Sequence, residues 1–311
     1  MKVLVTGGAG FIGGHLVDAL LAEGATVRVI DNFSTGRREN LAHNLEKIDL
    51  VEGDLVDPDA VGRAVHGVEL IFHEAAIPSV ARSVADPVAS YRANVLGTVQ
   101  LLDAARKAGT VRKVVYAASS SAYGDTEVLP KVETMTPMPL SPYAVAKLTG
   151  EQSMTVFGRL YGIETLSLRY FNVFGPRQDP KSEYAAVIPR FITKILAGER
   201  PMIFGDGEQS RDFCFIENVV HANLLGARAR TRGEVVNIAV GDRCTLNQLI
   251  AMVNGLLGTA VTPEYGPSRA GDVKHSQADI RAARALIGYE PKYDLRAGLA
   301  KTVAYYQSLV S

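Results

Sequence analysis

The opening run Lys2-Val3-Leu4-Val5-Thr6, followed by Gly7, Gly10 and Gly13, constrains this chain more than anything after it. A short, β-branched strand leads straight into three glycines spaced three apart. Ile12, Leu16 and Leu20, with Val17 and Leu21, then recur at i, i+4 along one face of a helix. The glycines answer three needs of such a turn: strand must bend into helix, backbone must approach a bound pyrophosphate, and helix must pack closely on strand. The helix start offers that anion free N–H groups and a partial positive charge. Gly24 reads as the residue closing the helix, and Thr26-Val27-Arg28-Val29-Ile30 as a second strand ending at Asp31. A carboxylate about 20 residues beyond such glycines is where a dinucleotide's adenosine ribose is held. Asp31 would repel a 2′-phosphate, so NAD is expected rather than NADP, and Arg37 and Arg38 read as part of a solvated basic loop.

Strand-like and helix-like segments alternate through residues 1–170. Strands are expected near 49–53, 68–73, 112–118 and 164–169, and helices near 58–66, 88–108 and 142–161. The expected fold is α/β: a Rossmann-type, doubly wound parallel sheet with helices on both faces. Beyond Phe171, glycine and proline punctuate shorter elements such as 187–197, 217–229 and 245–257. Residues 171–311 are therefore read as a smaller C-terminal substrate-binding domain, with segments near 212–240 returning to the sheet.

The 311 residues are 47% hydrophobic, enough for a substantial core, and 33 basic residues balance 33 acidic ones. No global field recruits nucleic acid or an anionic membrane, and no apolar run reaches the length of a span. The first strand is expected to belong to the fold rather than to a signal peptide. Cys214 and Cys244 alone fit a reduced cytoplasm without a disulfide framework, and no metal-ligand spacing is seen.

Two further signals sit at expected strand ends, where a doubly wound sheet binds its ligands. Val114-Val115-Tyr116-Ala117-Ala118 runs into Ser119-Ser120-Ser121, and Tyr143 and Lys147 lie one helical turn apart on one face. A phenol is a poor base at neutral pH, and the spacing leads to the expectation that the Lys147 ammonium lowers the pKa of Tyr143. A serine hydroxyl could orient or relay the proton.

These residues resemble the extended short-chain dehydrogenase/reductases and, within them, the UDP-hexose 4-epimerases. The resemblance spans the chain: TGGAGFIG at 6–13, Asp54-Leu55, His73-Glu74-Ala75-Ala76, Asn94-Val95-Leu96-Gly97-Thr98, ASSSAYG at 118–124, SPYAVAK at 141–147, LRYFNVFGPR at 168–177, RDFCFIENV at 211–219 and RAGDVKHS at 269–276. It implies that NAD is held by Gly7, Gly10, Phe11, Ile12, Gly13, Asp31, Asn32, Asp54, Leu55, Ala75, Ala76, Asn94, Tyr143, Lys147 and Tyr170. It further implies that the UDP-sugar meets Ser79, Ser119, Ser120, Tyr143, Asn172, Ala186, Val187, Arg211, Arg269, Asp272 and Ser276. A guanidinium suits phosphate and a carboxylate suits vicinal hydroxyls, in keeping with Arg211, Arg269 and Asp272.

The chemistry implied is C4 epimerisation through a transient 4-keto sugar, with Tyr143 carrying the proton and Ser119 or Ser120 beside it. The serine run is one residue shorter before Tyr123-Gly124 than the commonest epimerase form, so both serines stay candidates. No carboxylate stands beside them, unlike in the related 4,6-dehydratases and UDP-glucuronate decarboxylases. A UDP-glucuronate 4-epimerase, a net oxidoreductase with an apolar pocket and a non-catalytic nucleotide sensor are the other readings. By resemblance, Ser276 occupies a position where a small residue leaves room for an N-acetyl group, which extends the expected substrates to UDP-GlcNAc and UDP-GalNAc. The helices at 88–108 and 142–161 are apolar around much of their surface, and in relatives such helices form a homodimer interface.

Overall fold

The fold was obtained as a computed structural model that describes residues 1–180, 186–267 and 274–310. Five short, apolar runs set its centre: β1 (Lys2–Thr6), β2 (Thr26–Asp31), β3 (Ile48–Glu52), β4 (Leu70–His73) and β5 (Lys113–Ser119). With β6 (Glu164–Tyr170) and the returning β11 (Glu234–Ile238) they form one parallel sheet in the order β11-β6-β5-β4-β1-β2-β3. The chain order reverses at β1, which pairs with β2 on one side and β4 on the other. That switch opens a crevice at the carboxyl ends of the strands.

A parallel sheet must be covered on both faces. On one face lie α1 (Phe11–Ala22) and α8 (Ile216–Arg228), which bury Leu16, Val17, Leu20, Val219 and Ala222. On the other lie α2 (Pro58–Val65), α5 (Gly97–Ala108) and α6 (Pro142–Tyr161), which bury Val61, Leu101, Leu102 and Met154. Each fully buried aliphatic side chain of this kind contributes about 1.5–3 kcal/mol. The first core continues into the smaller C-terminal part. There α7 (Val187–Leu196), α9 (Leu246–Leu257) and α11 (Leu295–Ser308) bring Phe191, Ile192, Val253 and Tyr306 into it.

Short strand pairs complete that part: β7 (Val173–Phe174) with β10 (Cys214–Phe215), β9 (Ser210–Arg211) with β12 (Cys244–Thr245), and β8 (Met202–Phe204) with β13 (Glu264–Gly266). Arg177 and Pro176 join the two halves. The Arg177 guanidinium bonds Asp18 of α1 at 2.7 Å, and the Pro176 carbonyl meets His15 Nε2 at 3.0 Å.

One expected element is more complex than its pattern. The helix read over 88–108 is α4 (Pro87–Tyr91), a π-helical turn over Arg92–Leu96, and then α5, preceded by a short α3 (Val80–Ala85). A π turn re-aims side chains inside a helix and recurs at functional sites; here it carries Asn94.

Candidate active site

At the crevice, the turn from β1 into α1 leaves no room for side chains. Gly7 has φ +68°, and a Cβ there would lie 2.7 Å from the Ala75 backbone; one on Gly13 would lie 2.2 Å from the Gly7 carbonyl oxygen. No side chain caps α1, whose N-cap is Gly10, so the first-turn N–H groups beside Phe11 and Ile12 are left for an anion. At the end of β2, Asp31 accepts from Ala9 N at 2.9 Å and Phe33 N at 2.8 Å. Burial pushes its carboxyl above the usual range against those two donors. Asn32 donates to Asp54 at 2.8 Å, next to the buried Leu55. Arg38 is committed to Glu52 and to the Phe33 ring, and Arg37 to Glu39. The cradle, the uncapped helix and the carboxylate make a donor and acceptor set that fits a dinucleotide with a free ribose 2′-hydroxyl.

A buried chain of hydrogen bonds fixes the edge of that cradle. Thr98 donates to the Asn94 carbonyl at 2.7 Å, so it accepts from His73 Nε2 at 2.9 Å. His73 Nδ1 then accepts from Thr6 at 2.8 Å, and Thr6 accepts from the Ala75 N–H at 3.2 Å. His73 is therefore neutral; burial and the Lys147 charge lower its pKa to about 3. Asn94 spends its amide on the Ile77 backbone, accepting at 2.8 Å and donating at 3.3 Å. It thereby holds the Ala75-Ala76 segment in place.

Across the crevice, α6 starts with Ser141 as its cap and Pro142 in the first turn, which aims Tyr143 and Lys147 at the end of β5. Ser119, rather than Ser120, is the serine whose hydroxyl draws the Tyr143 phenol's pKa down. Ser119 also bonds Ser121 at 2.8 Å, while Ser120 opens the short 3₁₀ turn that follows. Lys147 is buried, donates to the Ala117 carbonyl at 2.7 Å and stands 4.9 Å over the Tyr116 ring. One expectation needs correcting. Burial raises the pKa of Tyr143, and what opposes that rise is the Ser119 hydroxyl rather than the Lys147 ammonium. The ammonium is turned to Ala117, on the strand behind the phenol.

The smaller part supplies a cavity of about 280 Å³, lined by Asn172, Ala186, Val187 and Arg211 among the expected residues. Asn172 donates to the Asp212 carbonyl at 3.1 Å, and Arg211 bonds the carbonyls of Ser210 and Lys274 at 3.0 and 3.1 Å. Ser79 caps α3, accepting from Arg82 N at 3.1 Å. Ser276 lies against β9, its N–H bonded to the Ser210 carbonyl at 3.0 Å, outside the residues that line the cavity. Arg269 and Asp272 lie outside the described residues.

The cavity also has walls that the sequence reading did not name: Arg190 and Phe191 of α7, Phe204 of β8, and Gln209. Their signal is weak, since an arginine on a helix and a phenylalanine on a short strand have common structural uses. Asp212 was missed for the same reason. It accepts from Val240, Gly241 and Ala278 N–H groups at 3.0, 3.0 and 3.1 Å, tying three segments together behind Arg211.

A family model described as the NAD dependent epimerase/dehydratase family matches residues 3–239. The chain belongs to that family. It is similar to a UDP-glucose 4-epimerase of Thermotoga maritima solved with UDP-glucose, at 41% identity and TM-score 0.95, covering 100% of both chains. It is similar as well to a UDP-N-acetylglucosamine 4-epimerase of Methanobrevibacter ruminantium in complex with UDP-N-acetylmuramic acid. There the identity is 40% and the TM-score 0.94, over 99% of this chain and 98% of that one. A third is the Thermus thermophilus UDP-glucose 4-epimerase complexed with NAD, at 36% identity and TM-score 0.90, covering 99% of each.

Proposed function

We propose that this family member interconverts UDP-hexoses by inverting C4, using NAD, and that it accepts UDP-glucose and UDP-galactose as well as their 2-acetamido counterparts. The observation that carries the reading is the convergence of three parts at one crevice. The glycine cradle with Asp31 lies at the ends of β1 and β2, the Ser119–Tyr143–Lys147 group at the end of β5, and Asn172, which lines the cavity with Arg211, just beyond the end of the neighbouring β6.

NAD, when bound, supplies a reversible hydride acceptor for C4. Everything else falls to this chain. Tyr143 takes the proton of the C4 hydroxyl and returns it after the sugar has presented its other face. Ser119 orients that hydroxyl and stabilises the phenolate through its hydrogen bond to the Tyr143 oxygen. Asn172 and Arg211, with Arg269 and Asp272, hold the nucleotide diphosphate while the sugar turns. Ser276 leaves space beside C2.

The unit at work is a homodimer in the cytoplasm. Val88, Leu96 and Val99 within 88–108, with Val156, Leu160 and Tyr161 on α6, are exposed apolar residues on the two stretches whose sequences suggest an intersubunit bundle, and Val84 of α3 extends the patch. Among the described residues, no helix is long and apolar enough to cross a membrane.

The test is incubation with each of the four UDP-sugars, without added cofactor, followed by anomeric NMR. Interconversion of both pairs is expected. No epimerisation of any of them by NAD-loaded protein, or stoichiometric release of NADH, would overturn the reading.

A further inference from the structure

One carboxylate beside the proton-transfer group has no part in the mechanism above. Glu74 follows β4 directly, its N–H bonded to the Thr6 carbonyl at 3.2 Å. Its side chain spans the end of β5 to reach β6, where Oε1 accepts from the Tyr170 hydroxyl at 2.8 Å. Tyr170 in turn accepts from Asn223 Nδ2 of α8 at 2.7 Å. The other oxygen, Oε2, is enclosed and has no partner. A bare carboxylate oxygen in a water-excluded place is costly, and side chains of this kind persist where a nearby charge compensates them. The compensating charge here is Lys147, whose ammonium sits on Ala117, on the strand between β4 and β6.

Glu74 and Lys147 act on each other through space. Burial pushes the Glu74 carboxyl up and the Lys147 amine down, and each charge opposes the other's shift. For Glu74 the Tyr170 hydrogen bond acts in the same direction as the Lys147 charge, and other titratable groups also surround the pair. His73, which feels the Lys147 charge, is neutral and is held by Thr98 of α5. The Tyr116 and Tyr170 phenols are pushed well above their ordinary range. Tyr143 is raised, Cys214 behind Tyr170 is a thiol pushed upward by burial, and Glu151 is neutralised by Arg169. Thr6 and Asn223 do not titrate.

We propose that Glu74 is a positioning residue for the reaction: anchored by Tyr170 and Asn223, its carboxylate is the counter-charge that holds the Lys147 ammonium at the end of β5. The inference rests on the epimerase reading for its catalytic consequence, because the charge on Lys147 matters to turnover only where NAD and a UDP-sugar bind in this crevice. It does not rest on that reading for the electrostatics.

The sign follows directly. Replacing the carboxylate by a neutral amide removes negative potential from Lys147, which then loses its proton at lower pH. In Glu74→Gln, with the Tyr170 contact kept, the alkaline limb of kcat should move down by about one pH unit, with KM for the UDP-sugar little changed. The second readout is independent of turnover: NAD retained through gel filtration at increasing pH, measured by absorbance of the denatured eluate. Retention should fall off about one pH unit earlier in Glu74→Gln than in the parent. Tyr170→Phe removes the donor that helps hold the buried Glu74 carboxyl ionised, so it should move both curves in the same direction, and it covers the case in which Glu74→Gln folds poorly. Superimposable pH curves of parent and Glu74→Gln in both readouts overturn the proposal. So do curves for Tyr170→Phe that superimpose on those of the parent. If the parent turns over no UDP-sugar, the epimerase reading falls alone, and NAD retention still decides the role of Glu74.

Discussion

At the scale of single residues, the site separates groups that react from groups that hold them. Tyr143→Phe keeps the ring that packs at the start of α6 and removes the proton carrier. NAD content and thermal stability should stay near parental values while turnover falls on the order of 100- to 10,000-fold; parental turnover would remove Tyr143 from its role. Ser276 is a different kind of position, since its contribution is the volume it leaves. Ser276→Tyr should lose UDP-GlcNAc and UDP-GalNAc turnover by steric overlap costing roughly 1–3 kcal/mol, about 5- to 150-fold in rate, while sparing UDP-glucose and UDP-galactose. Competition assays with mixed substrates read the ratio directly, and equal loss on both pairs would show that Ser276 does not sit beside C2. The reacting residues were legible because Tyr143 and Lys147 share a helix face at a fixed spacing. Glu74 and Asp212 were not, because a carboxylate's partners come from segments remote in the chain: Tyr170 for one, Val240 and Ala278 for the other.

At the scale of elements, α6 is the piece whose placement governs the chemistry, and it is tied to the sheet by a buried fork. Arg169 of β6 donates to both oxygens of Glu151 at 2.8 and 2.7 Å, one turn beyond Lys147, and its guanidinium lies 4.6 Å over the Tyr123 ring. Glu151→Gln keeps the shape and strands the buried cation. Breaking a buried pair from one side costs about 3–5 kcal/mol, so urea unfolding should show a loss of that order. A loss near zero would mean that α6 is seated by its apolar face alone. The pattern predicted α6 because its cap, proline and closing Gly162 are local signals. The π turn at Arg92–Leu96 escaped because one extra residue in a helical turn leaves no composition signature; only the contacts of Asn94 with Ile77 disclose its use.

At the scale of the whole molecule, burial and surface make separate predictions. His15 and His73 have pKa values lowered by burial to about 4 and about 3 from 6.5. As pH falls below 6.5 the unfolded chain binds these protons first. Each histidine therefore withdraws stability at up to ~1.4 kcal/mol per pH unit, until pH reaches its folded value. His73→Asn should be less stable at every pH yet show a shallower decline between pH 6 and pH 5 in chemical unfolding; parallel declines would refute the assignment. On the surface, Val88 and Leu160 are 75% and 68% exposed. Val88→Glu with Leu160→Glu should convert a dimer to a monomer in light scattering, and an unchanged mass would place the interface elsewhere. The sequence by itself determined the sheet, its cofactor turn and the tyrosine–lysine pair, because β-branched strands, glycine turns and one-turn spacings act within a few residues of themselves. Only the tertiary structure decided that Ser119 and not Ser120 meets Tyr143, that Lys147 turns to Ala117, and that Glu74 faces Tyr170. Those choices depend on which strand ends lie side by side, and strand order is set by packing across the whole sheet rather than by any one segment.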